Sequence, residues 1–161
     1  MKTAHDFRKQ RQVLLFVLGF ILIACITSCA TTGPKYSTAI PSIAALSKEQ
    51  GRIIFYRPDT IFGAAMKPDI YVDGKKVGES IRGTAFYVDV TPGKHQVKVS
   101  AVMYPGETII DIELQKNETI YVKTYMGGSA YAGRTNVEVV NSAQAKADGI
   151  GDLVFIAEPL K

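Results

Sequence analysis

The sequence predicts an all-β fold: a single antiparallel β-sandwich, or partly open barrel, of about eight short strands behind a lipid-anchored flexible tether. Three observations predict it. Apolar and polar residues alternate with period two from Arg52 to Val140. Gly, Pro, Asp and Asn break that alternation at short intervals. A short apolar run near the N-terminus ends on a cysteine and is followed by a polar stretch, ATTGPKYST.

The N-terminal run comes first. Residues 2–12 carry Lys2, Arg8, Lys9 and Arg11 against Asp6 alone, and Val13–Ile26 is a 14-residue apolar stretch. A membrane-crossing helix needs roughly 20 apolar residues, so the run is short for a span and suited to a signal h-region. It ends on I-T-S-C, Ile26–Cys29. This looks like the bacterial lipobox: an aliphatic residue, two small residues, then the cysteine whose sulfur takes a diacylglyceryl group. The resemblance implies cleavage between Ser28 and Cys29 and lipid attachment at Cys29. L-I-A-C, Leu22–Cys25, is a second frame, with Cys25 the lesser alternative. Cys29 is favoured because it leaves a full-length h-region and a polar sequel. Ala30 stands where an aspartate would look like an inner-membrane retention signal, so an outer-membrane location facing the periplasm is expected.

Charge follows the same division. The chain has 19 Lys and Arg against 15 Asp and Glu. Taking away residues 1–28, with four basic and one acidic side chain, leaves 15 against 14. A near-neutral body offers little to a phosphate backbone, which argues against nucleic acid as a partner. The two cysteines are Cys25 and Cys29, so the body has no thiols for a disulfide or a thiolate metal site. No cofactor and no metal are expected.

Residues 29–50 hold Gly33, Pro34 and Pro41 among Ser, Thr and Ala, and read as a tether with one short helix over Ser42–Leu46. The expected division is a signal peptide over 1–28, a lipidated tether over 29–50 and a sandwich over 51–161. Candidate strands are Arg52–Arg57, Asp69–Asp73, Lys76–Glu79, Thr84–Val90, Gln96–Met103, Thr108–Leu114, Thr119–Met126 and Thr135–Val140. Asp73-Gly74 reads as a two-residue hairpin turn, with Gly74 where positive φ is needed. Pairing Val90 with Val97 and Val88 with Val99 would gather the apolar groups on one face around T-P-G-K-H. Ile112 opposite Val122 would likewise set Asp111 opposite Lys123. Ser142–Ala147 reads as a short helix and Leu153–Ala157 as a last strand.

Three motifs run in order: G-R-I-I-F-Y-R-P (Gly51–Pro58), P-D-I-Y-V-D-G-K-K-V-G (Pro68–Gly78) and F-Y-V-D-V-T-P-G-K-H (Phe86–His95). Over roughly residues 49–141 the chain resembles a family of small bacterial lipoproteins catalogued as domain of unknown function 2846. The D-G-K-K-V-G and P-G-K-H pieces are also similar to PEGA repeats, small β-sandwich modules of surface proteins. The resemblance implies an all-β fold and an envelope location. It implies no activity and transfers no functional residue beyond the lipid-bearing cysteine.

Candidate sites are few. G-S-A-Y-A-G-R-T, Gly128–Thr135, lacks the lysine of a phosphate loop and precedes a β-branched stretch rather than a helix, so an inter-strand loop and no nucleotide are expected. His95, with Ser100 or Asp89 conceivable beside it, is expected to be a solvated residue at the start of a strand rather than a general base. Asp111 and Glu113 share a strand face about 7 Å apart, where an ion pair with Lys123 is expected over paired acids. The loop Asp59–Lys67 carries Ile61, Phe62, Ala64, Ala65 and Met66 around Gly63. It is expected to fold back as a cap on the core, the alternative being an exposed apolar patch. Tyr121 and Tyr125 share the face opposite Ile120 and Val122, as a binding strip or as groups buried by a second layer.

The expectation is a non-enzymatic, membrane-anchored envelope lipoprotein, structural or protein-docking, with Ile61, Phe62, Met66, Tyr121 and Tyr125 as the candidate partner surface. The alternative is a periplasmic ligand-binding or inhibitor module for a peptide, glycan or secreted enzyme. Expected partners are the membrane, through N-terminal acyl chains, and an envelope protein.

Overall fold

A computed structural model describes residues 31–101, 106–129 and 132–157. Cys25, Ser28 and Cys29 lie outside the described residues. The fold is a sandwich of two sheets. Its strands are β1 (Gly51–Arg57), β2 (Asp69–Val72), β3 (Lys75–Glu79), β4 (Thr84–Val90) and β5 (Gly93–Val99). They continue as β6 (Thr108–Leu114), β7 (Thr119–Ser129), β8 (Ala132–Val140) and β9 (Val154–Phe155). One sheet has the order β8-β7-β1-β4-β9 and the other β3-β2-β5-β6.

The core between the sheets follows from the alternation. Ile53, Phe55, Phe86, Val122 and Val137 point inward from the first sheet, and Ile70, Val72, Val97, Val99, Ile112 and Leu114 from the second. Phe55 and Phe86 stack at 5.2 Å between ring centres. Each such side chain contributes roughly 1.5–3 kcal/mol when removed from water. Gly78 is required here, because a Cβ would stand 2.7 Å from the Phe86 ring.

β1 reads as a continuous run, Ile53-Ile54-Phe55-Tyr56, because it is buried on both faces. Ile54 and Tyr56 face outward into a second apolar layer with Tyr36, Ala39, Ala85, Ala145, Ile150, Leu153 and Phe155. That layer is built from α1 (Tyr36–Ala39), a 3-10 turn at Ile40–Ser42, and α2 (Ser142–Ala147). α2 starts where the Asn141 side chain accepts the Gln144 N–H at 2.8 Å. It ends before Gly149 at φ 78°.

The strands, the Asp73-Gly74 turn (φ 50° and 78°) and the α2 helix stand where the sequence predicts them. The neighbours differ. β4 and β5 belong to different sheets, so Val90 faces Gly51 and Val88 faces Ile53 rather than Val97 and Val99. β6 and β7 also separate, so Ile112 lies opposite His95 and Asp111 opposite Gln96. In both cases the apolar faces do meet, but across the sandwich instead of side by side. Alternation fixes which face is buried, not which strand lies alongside. The first sheet is also mixed, since β1–β7 and β4–β9 pair in parallel.

The N-terminal segment differs as well. The short helix forms at Tyr36–Ala39, before the expected Ser42–Leu46. Tyr36 and Ala39 are buried, so the packed body begins well before Gly51. Tyr36 packs on Phe155, which in turn stacks on Tyr87.

Candidate functional site

The Asp59–Lys67 loop leaves the end of β1, and Arg57 holds it. Arg57 shares the inward parity of Ile53 and Phe55 and is 1% exposed. Its guanidinium donates to the carbonyls of Gly63 (2.7 Å), Met66 (2.8 Å) and Ser80 (3.0 Å), with Phe62 O at 3.5 Å. Among the described residues no carboxylate pairs with it, and its Nε is the one buried polar side-chain atom without a partner. Burial, with Arg82 nearby, lowers its pKa from the ordinary arginine value. Carbonyl dipoles therefore stand in for a counter-ion. Gly63, at φ 67°, lies against Met126 with no room for a Cβ.

The loop's apolar residues consequently divide. Gly63 is held inward, while Phe62 and Met66 are half-buried. Ile61 is 86% exposed. The loop is thus part cap and part patch. Phe62 lines a hollow of about 540 Å³ with Pro58, Thr60, Lys123, Tyr125, Met126 and Asp148. Three of these are large apolar or aromatic side chains, a lining that suits a partner's side chain.

A polar hub forms the hollow's other wall. Asp148 accepts from Tyr56 Oη (2.7 Å) and Gln144 Nε2 (2.8 Å) and pairs with Lys123 Nζ (2.9 Å). Lys123 also reaches Glu138, its β8 neighbour, at 3.6 Å. Burial works to raise the Asp148 carboxyl, but the bonds from Lys123, Tyr56 and Gln144 outweigh it and hold the group below the usual carboxylate range. The hub ties α2 to β1 and β7.

Tyr121 and Tyr125 share the outer face of β7, as the sequence predicts, but do not form one strip. Lys123 and its carboxylates stand between them. Tyr121 instead lines a separate hollow of about 210 Å³ with Tyr36, Ile40, Ile43, Arg52, Ile54, Tyr87 and Thr119. Arg52 lies there over the Tyr87 ring and pairs with Asp89 at 2.6 Å.

His95 departs from the solvated strand start expected of it. It is 8% exposed, with Nδ1 2.6 Å from Asp73 Oδ2 and Nε2 2.7 Å from Thr91 O. Both ring nitrogens face acceptors, so the doubly protonated ring satisfies both. Burial works against that charge, but the bonds to Asp73 and Thr91 outweigh it and raise the pKa above the ordinary histidine value. Neither Ser100 nor Asp89 stands beside it: Ser100 Oγ accepts the Asp69 N–H, and Asp89 belongs to Arg52. A raised histidine pKa stabilises the fold fully below the unfolded-state value and less as pH rises through the folded-state value. Thermal melts should therefore show the parent protein losing its advantage over His95→Gln as pH climbs past the ordinary histidine range. A difference constant across pH would contradict the charged pair.

Asp111 and Glu113 are exposed on β6 and have Gln96 and Lys94 opposite, since Lys123 is in the other sheet. With Asp73, His95 and Ile112 they line an open depression of about 560 Å³. Gly128–Thr135 lies within the β7–β8 hairpin, where Thr135–Val140 is strand and no helix opens to receive a phosphate.

Residues 47–139 match the family described as "Protein of unknown function (DUF2846)". The chain belongs to that family. The match spans β1 to all but the last residue of β8, so the DUF2846 unit is the sandwich itself. The outer layer of residues 33–43 and 142–155 falls outside it. The chain is also similar to an uncharacterized protein of Haemophilus influenzae, 26% identical over 143 residues, 87% of this chain and 82% of that one.

Arg57, Lys123 and Asp148 were not singled out by sequence reasoning. The signal for Arg57 was its parity: an arginine two residues beyond Ile53 and Phe55 on the same face must find partners inside. The signal for Asp148 was weaker, since only the sheet order brings it to Lys123.

Proposed function

We propose that this DUF2846 protein is an exported, lipid-anchored protein of the cell envelope whose sandwich is a non-enzymatic docking module. The anchor is Cys29, and the outer membrane facing the periplasm is the site of residence. The observation that carries this reading is the Ile26–Cys29 motif closing a 14-residue apolar run behind a basic n-region. Two or three acyl chains on one cysteine anchor a protein stably where one chain does not.

The docking surface is the hollow of Phe62, Tyr125 and Met126 with Ile61 at its rim. An exposed isoleucine beside a half-open aromatic hollow is the kind of contact on which interface energy concentrates. The alternative, a module for a peptide, glycan or secreted enzyme, draws on the same hollow, because about 540 Å³ is also the size of a small-ligand site. It is the weaker reading. The polar groups at that wall, Lys123 and Asp148, already satisfy each other.

Photo-crosslinking in living cells tests the surface. A benzophenone residue in place of Phe62 should capture a discrete envelope protein, and one in place of exposed Lys94 should not. Phe62→Ala with Tyr125→Ala should weaken that capture at least about tenfold, the cost of one interface hot spot. Equal capture from both positions, or none from Phe62, would defeat the docking assignment.

A further inference from the structure

The segment expected to be a free tether is mostly fastened to the fold. Phe155 N–H donates to Pro34 O at 2.8 Å, and Tyr36 N–H donates to Leu153 O at 2.7 Å. Lys35 bridges Val154 in antiparallel sense, and its Nζ pairs with Asp152 at 2.8 Å. Gly33 lies so close to β9 that a Cβ would stand 2.9 Å from Val154 Cγ1 and 3.1 Å from the Phe155 carbonyl. Tyr36 and Ala39 then plunge into the outer apolar layer. The chain is locked from Gly33 onward.

Between Cys29 and Gly33 stand Ala30, Thr31 and Thr32. A chain extends at most about 3.3–3.6 Å per residue, so the Cα of Gly33 lies within roughly 14 Å of the Cα of Cys29. The five-stranded sheet, at about 4.8 Å per strand, measures roughly 19 Å from β9 to β8. The leash is therefore shorter than the sheet is wide.

We infer that the edge formed by residues 33–40 and β9 faces the lipid headgroup layer, held there by a leash of four peptide units, with the β8 edge farther out. This rests on the Cys29 anchor proposed above. The edge suits a headgroup surface. Lys35–Asp152 and Arg82–Asp59 are neutralised pairs, and Ile40 is 44% exposed on the same side. The arrangement also covers the sheet edge: the Pro34–Tyr36 segment occupies the open side of β9, which would otherwise invite pairing with another chain.

The chain has no tryptophan, so single reporters can be placed at will. Exposed Thr38 and Val139 mark the two edges. The full-length gene carrying Thr38→Trp or Val139→Trp is expressed, and the mature protein is purified from membranes into vesicles holding a dansyl-labelled phospholipid. Energy transfer from position 38 should exceed that from position 139 by about twofold or more, given edges roughly 19 Å apart. Inserting a Gly/Ser stretch of about 20 residues between Thr31 and Thr32, a flexible coil, should abolish the difference. Equal transfer without the insertion, or a difference that survives it, would overturn the inference. The intact mass of the same preparation separates the two claims. A chain acylated at Cys29 with equal transfer sinks the orientation alone, and an unacylated chain sinks the anchor and the orientation with it. Acylation at Cys25 would double the leash and also overturn the orientation.

Discussion

Arg57→Ala will cost the domain at least about 3 kcal/mol and release the Asp59–Lys67 loop, because several buried carbonyls lose their donor at about 1–3 kcal/mol each. The guanidinium is buried at the end of β1 and gathers carbonyls from both ends of the loop's inner turn and from Ser80. No side chain of alanine's size can reach them, and the space left cannot close without moving β1. Arg57→Lys should recover only part of the loss, since an ammonium lacks the planar fork that spans Gly63, Met66 and Ser80. Urea unfolding gives the global cost. Limited proteolysis gives the local one, with new cleavage between Pro58 and Pro68. A loss under about 0.5 kcal/mol, the ordinary range for surface positions, would show that the carbonyl cage is not what holds the loop. The consequence reaches the docking surface: with the loop loose, Phe62 no longer meets Tyr125, and capture from that position should fall with stability intact elsewhere.

Much of this fold was legible in the chain because alternation is a local property. Ile53 and Phe55, Val97 and Val99, Ile112 and Leu114 declare their inward face within a few residues of sequence. The same alternation points His95 inward beside Val97, although its place at the start of the strand reads as solvated. Its partner Asp73 arrives from the β2–β3 turn, which no local pattern reveals. Neighbour relations were not legible for a related reason. Val88 and Val90 match Val97 and Val99 equally well across a hairpin or across a sandwich, and only the turn's path chooses between them. Phe62 and Tyr125 stood out as apolar in odd places. That they share a hollow depends on β7 lying parallel beside β1, a pairing set by the whole topology. Tyr36 and Ala39 look like tether residues until β9, more than a hundred residues later, provides something to pack against.

The second large effect concerns the anchor. Cys29→Ala should remove all palmitate label from the protein and leave residues 1–28 attached, because the cut depends on the modified sulfur. Each buried methylene of an acyl chain is worth about 0.8 kcal/mol, so losing two or three chains removes far more binding than any surface contact supplies. Cys25→Ala should change neither label nor size. Label that persists in the Cys29 variant and vanishes in the Cys25 variant would move the anchor, lengthen the leash to eight residues and detach the β9 edge from the bilayer.

The most direct measurement is the intact mass of the native protein extracted from cell membranes with detergent. The prediction is a polypeptide starting at residue 29 and heavier than its sequence by a diacylglyceryl group and, where the new amine is acylated, one further chain. An unmodified polypeptide starting at Met1 would contradict it.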